Sequence, residues 1–137
     1  MKPKLRINRF YYRNGRIHTE SRELAGSLHG PHRVWHRNGQ LAEELRYRAG
    51  LMHGVSRQWD ENGRLLGSFN MVNGSGLQRY WHDNGRLSEQ IPMNLGRPDG
   101  TGWAYYPSGF LKAETIVHDG TVLDRKSWKD GERKTAE

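Results

Sequence analysis

The chain has no cysteine. That excludes disulfides, thiolate metal sites and a thiol nucleophile, and it leaves the redox compartment open. Apolar residues are scarce, 34% of 137 positions, and no run approaches the roughly 20 residues that a membrane-spanning helix needs. No apolar stretch follows the basic start Met1-Lys2-Pro3-Lys4-Leu5-Arg6, so no secretory signal is expected and the cytoplasm is the default location. No Gly-rich loop leads from strand to helix as phosphate cradles do, and no paired carboxylates stand apart from the sequence's repeat pattern. An enzyme needs a non-repeated constellation at one spot. With none in the sequence, neither catalysis nor a cofactor is expected.

What the chain does have is glycine, 17 of them, and a recurring phrase built on it. Trp35-His36-Arg37-Asn38-Gly39-Gln40-Leu41 returns as Trp59-Asp60-Glu61-Asn62-Gly63-Arg64-Leu65 and as Trp81-His82-Asp83-Asn84-Gly85-Arg86-Leu87. Weaker copies centre on Asn14-Gly15 and Ser108-Gly109, and a shortened one is Trp128-Lys129-Asp130-Gly131. The phrase glycines fall at 15, 39, 63, 85, 109 and 131, in steps of 24 or 22 residues. A fixed period of that size marks a repeat protein, in which each unit buries its apolar side on its neighbours. The expected organisation is a basic leader over residues 1–8, one repeat domain over 9–131 and a polar tail over 132–137.

A second glycine lies 11 residues after each of the first five phrase glycines, as in Gly26, Gly50 and Gly74. Each unit is therefore two short segments between turns, the signature of strands and hairpins. The expected fold is all-β: a single-layer, twisted antiparallel β-meander of about ten strands, each about 4.8 Å from the next. With Arg37-Asn38-Gly39 as a three-residue loop, Gly39 takes the left-handed position that glycine tolerates. Trp35 then faces Leu41, Trp59 faces Leu65, Trp81 faces Leu87 and Tyr105 faces Leu111. The same count puts Arg33 opposite Glu43, Arg79 opposite Glu89, Arg57 opposite Gly67 and Arg9 opposite Thr19. Strict alternation places Leu45, Tyr47, Val55, Leu65, Phe69, Leu77 and Ile91 with the tryptophans on one face. It places Val34, Tyr80, His36, Asp60, His82 and Glu44 on the other.

The pattern aromatic-x-x-Asn-Gly-x-Leu-x-x-Glu, then Gly-x-x-His-Gly, is read here as Trp35, Asn38, Gly39, Leu41, Glu44, Gly50, His53 and Gly54. In this the chain resembles the MORN repeat family, in the variant form found in bacterial antitoxin components of toxin–antitoxin systems. The resemblance covers roughly residues 9–131. It implies a β-hairpin scaffold that binds partners along an aromatic-lined groove and does no catalysis. The fifth unit departs, with Ser108 for the asparagine and Trp103 where other units have arginine. The first has Glu23 where others have Tyr47, Met71, Met93 and Val117.

The candidate binding residues are the aromatic series Trp35, Trp59, Trp81 and Tyr105, the arginine series Arg33, Arg57 and Arg79, and His36, His82 and Tyr80. Partly exposed Trp rings make good binding hot spots. The histidine row does not suit a metal. Neighbouring slots lie about 9.5 Å apart by strand spacing, while Zn–N bonds are about 2.0–2.1 Å. His29 and His53 are expected to bond turn backbone. The net charge of +7 favours an acidic partner. The reading is a non-enzymatic protein-interaction module, antitoxin- or immunity-like, whose partner is a toxin or effector protein. The alternative is a polyanion, either nucleic acid or an anionic membrane surface.

Overall fold

The computed structural model describes residues 2–134. Met1, in the expected leader, and residues 135–137, in the expected tail, lie outside the described residues. The described chain is all-β, with 14 strands. They are β1 (Leu5–Tyr11), β2 (Ile17–Leu24), β3 (Ser27–Leu28), β4 (Gly30–Trp35), β5 (Leu41–Arg48), β6 (Leu51–Met52) and β7 (Gly54–Trp59). Then come β8 (Leu65–Met71), β9 (Gly76–Trp81), β10 (Leu87–Asn94), β11 (Arg97–Pro98), β12 (Gly100–Tyr105), β13 (Leu111–His118) and β14 (Thr121–Ser127). The count exceeds about ten because β3, β6 and β11 are two-residue pieces inside the linker turns. Strand β1 begins at Leu5, so part of the expected leader is already sheet. No described helix is long and apolar enough to cross a membrane.

The phrase makes the expected hairpin. Gly39 N–H donates to His36 O at 3.0 Å, and His36 N–H donates to Gln40 O at 2.8 Å, closing the three-residue loop. Gly39 has φ 90°, where a side chain would be strained. Trp35–Leu41, Trp59–Leu65, Trp81–Leu87 and Tyr105–Leu111 are all partners.

Beyond that pair the register departs from strict alternation. Each hairpin carries a β-bulge one step from the loop, and His18, Ala42, Leu66, Ser88 and Lys112 are passed over. An extra residue on one strand shifts every later pairing and reverses which face it meets. So Arg33 faces Glu44 rather than Glu43, and Arg79 faces Gln90 rather than Glu89. Arg57 faces Ser68 rather than Gly67, and Arg9 faces Glu20 rather than Thr19.

The faces are corrected accordingly. Val34 pairs with Glu43 and Tyr80 with Glu89, on the side of Leu45 and Ile91. Val55 pairs with Asn70 and Leu77 with Pro92, on the opposite side. Leu77 is accordingly 40% exposed. Leu65 is 51% exposed as well, although it was expected on the packed face. The contiguous core cluster sits in the middle of the array: Leu45, Phe69 and Met71, with Tyr47, Met52, Trp81 and Met93 packed on it, while Leu111 and Ala113 are buried separately in β13.

The meander is divided into two sheets. One runs β1-β2-β4-β5-β7-β8, and the other holds β10-β12-β13-β14 with β9 on β10. Successive units join through two-residue ladders, such as Glu43–Gln58 and Glu44–Arg57. Between β8 and β9 that ladder is missing, although a tight turn links them through reciprocal bonds of Val72 and Ser75 at 2.9 and 3.0 Å. The cause is local. The Trp81 ring lies over Gly67, so close that a Cβ there would sit 2.2 Å from the ring. The Gln58 side chain bonds both the N–H and the C=O of Trp81, at 3.0 and 2.8 Å.

Candidate functional site

The phrase's polar residues are tied to the neighbouring unit. Tyr12 hydroxyl donates to Trp35 O at 2.6 Å, and Tyr106 hydroxyl donates to Trp128 O at 2.7 Å. His36 Nε2 and His82 Nε2 lie 3.0 and 2.8 Å from the carbonyls of Trp59 and Tyr105. A carbonyl can only accept, so each imidazole carries its proton on Nε2. Asp60 occupies the same slot in the third unit but cannot donate as a carboxylate. It accepts instead from the N–H groups of Arg64 and Asn62 in its own turn, both at 2.9 Å. Those bonds, the Arg64 one foremost, hold its carboxyl below the usual range. Gln58 takes over its inter-unit role, and the sheet seam falls at this unit.

The linker turns repeat the device. His29 Nδ1 accepts from Ala49 N–H at 3.3 Å and His53 Nδ1 from Asn73 N–H at 3.0 Å, while Ser75 Oγ accepts from Leu95 N–H at 3.0 Å. Each bond joins a turn to the turn of the next unit. A half-buried polar residue between units is thus matched to a backbone group that the short ladder leaves over.

The aromatic series is half-buried at Trp35, Trp59, Trp81 and Tyr105. Trp81 is committed to the core and to Gly67. Tyr80 meets Phe69 edge-on at 6.2 Å between ring centres and bonds the Gln78 amide. Burial pushes the Tyr80 hydroxyl pKa up. Nearby Glu43 is likewise raised by burial.

The arginine series forms a row across the opposite face, interleaved with its partners. Arg9 meets Glu20 at 2.9 Å, and Arg33 meets Glu44 at 2.9 Å and Glu20 at 3.7 Å. Arg46 also holds Glu44, at 3.0 Å. Burial pushes the Glu44 carboxyl up, but the bonds and charge of Arg33 and Arg46 overcome it and hold the group below the usual range. Further along, the carboxylates are replaced. Arg57 is exposed and faces Ser68, and Arg79 Nε donates to Gln90 Oε1 at 2.9 Å. The structure thus joins Arg33, Arg57 and Arg79 in one row. It sets His36, His82 and Tyr80 into the links between units or the core.

One feature escaped the sequence reading. On the core face of the last units, a groove of about 250 Å³ is lined by Gly100, Gly102, Ala104 and Ala113, with Glu89 and Arg125 among its walls. The alternation Gly100-x-Gly102-x-Ala104 was its legible signal, since small residues at period two hollow one face of a strand. Among the described residues, no group of three or more acids, histidines or cysteines is placed to hold a metal ion.

No curated protein matches the chain. Residues 28–49 and 52–73, the hairpins of the second and third units, each match the model of the MORN repeat variant.

Proposed function

We propose that the chain is a protein-interaction module of the antitoxin or immunity kind, which blocks a partner by covering it. MORN repeats are generally protein- or membrane-interaction modules, and the family is non-catalytic. The observation that carries the reading is the division of labour in the repeat. The phrase's recurrent side chains hold one unit to the next, whereas the arginine row stays on the surface and loses its internal carboxylates after Glu44. The partner lies along that row, and the half-buried Trp59 ring, at the end of the strand that carries Arg57, supplies apolar contact.

A second reading has its own observation. Residues 2–24 carry seven Lys and Arg against two Glu. Edge strand β1 also exposes Leu5, Ile7, Phe10 and Tyr11, at 52%, 41%, 66% and 60%. Basic and apolar groups on one edge suit a polyanion, either nucleic acid or an anionic membrane surface. Capture from host lysate across a salt series separates the two. A polyanion should be lost steeply as salt rises, whereas a protein held by aromatic contacts should persist. Trp59→Ala should abolish capture of a protein partner; undiminished capture would contradict the interaction reading.

A further inference from the structure

The arginine row contains a gap in its charge pattern. It reads Arg9, Glu20, Arg33, Glu44, Arg57, Ser68 across the first sheet and Arg79, Gln90 at the edge of the second. In the first half every arginine has a carboxylate beside it, and Arg33 lies between two, at 2.9 and 3.7 Å. At Ser68 the alternation fails. Arg57 and Arg79 flank a short, exposed hydroxyl where Glu20 and Glu44 stand in the preceding units. Glu44, on the other side of Arg57, is already held by Arg33 and Arg46. This patch therefore has an excess of guanidinium groups.

The gap falls at the seam between the sheets. Strand β8 lies between β7 and β9, paired with β7 and packed beside β9 without a ladder, so Arg57 and Arg79 stand on strands to either side of Ser68. One step along the same face, Val55 and Leu77 lie beside Arg57 and Arg79, and Leu77 is 40% exposed. An apolar ledge thus borders a pair of cations without a carboxylate of their own.

We infer that Arg57, Ser68 and Arg79 form a site for a carboxylate of a partner protein. It is presented by an acidic segment that also carries an apolar side chain for the Val55–Leu77 ledge. The incoming Asp or Glu takes the place that Glu20 and Glu44 take in the earlier units and completes the alternation. Charge-assisted bonds to planar guanidinium groups favour a carboxylate, and Ser68 leaves room for it while offering one more donor. The site rests on the interaction reading and gives it the chemistry of the partner.

The probe is an acetylated octapeptide of alternating Glu and Leu, titrated against the full chain, with the Gln-Leu peptide and inorganic phosphate as comparisons. Ser68→Glu supplies the missing carboxylate from within and should weaken peptide binding about tenfold or more. Thr121→Glu makes the same charge change on the exposed last strand and should weaken it far less. Arg79→Gln should lose affinity as Ser68→Glu does. Equal losses in Ser68→Glu and Thr121→Glu, or no binding of the Glu-Leu peptide, would overturn the site. So would tighter binding of phosphate than of the peptide. Partner capture that needs Trp59 but survives Ser68→Glu would also overturn it while leaving the interaction reading intact.

Discussion

At the scale of the residue, similar positions carry different chemistry according to what surrounds them. Glu44 lies on the arginine face, where cations keep it ionised. Its neighbour Glu43 points to the core face opposite Val34, and burial raises its pKa. The folded protein thus binds the Glu43 proton more tightly than the unfolded chain does. Stability from this residue is greatest below the ordinary carboxylate pKa of 4.5 and falls as pH rises through the raised value. Glu43→Gln should therefore raise the urea midpoint at pH 7, and the gain should fade as the pH is brought below 4.5. The alternation in the sequence did not separate these two glutamates correctly. The loop and its Trp–Leu clamp were legible because glycine and asparagine fix the turn. The bulge was not, because one unpaired residue such as Ala42 leaves no mark of its own yet reverses the parity of all that follows.

At the scale of the element, the hairpins are regular and the joints between them are not. A hairpin pairs along most of its length, while a joint has a two-residue ladder helped by side-chain bonds. The third joint lacks the ladder and rests on Gln58 and on Trp81 packed over Gly67. Gly67→Ala should force the ring aside, since the new methyl would meet it at 2.2 Å. The expected cost is about 1–3 kcal/mol, as for other overpacked sites, read by urea denaturation and by a red shift of tryptophan emission. The sequence contained this joint in outline. Asp60 in a row of donors and Gly67 in a row of larger residues were both visible, but their shared consequence needed the register. The arginine row was visible too, and only its partners were misassigned, each by one residue. Arg57 and Arg9 were both expected to lack a carboxylate opposite; Arg57 faces Ser68 in its hairpin but Glu44 across the joint, and Arg9 is paired with Glu20.

At the scale of the whole molecule, the array has no large central core. Its contiguous buried cluster lies in the middle, with Leu111 and Ala113 buried separately in β13, and each unit leans on its neighbours. Such a molecule is only as cohesive as its joints, so the links from Tyr12, His36, Gln58, His82 and Tyr106 to the next unit's backbone carry the account. The most direct test is equilibrium unfolding of His82→Ala. Loss of the bond to Tyr105 O, which leaves that carbonyl unmatched, should lower stability by about 1–2 kcal/mol and Tm by a few degrees. Unchanged stability would contradict the account, because it would mean that the histidine row does not hold the units together.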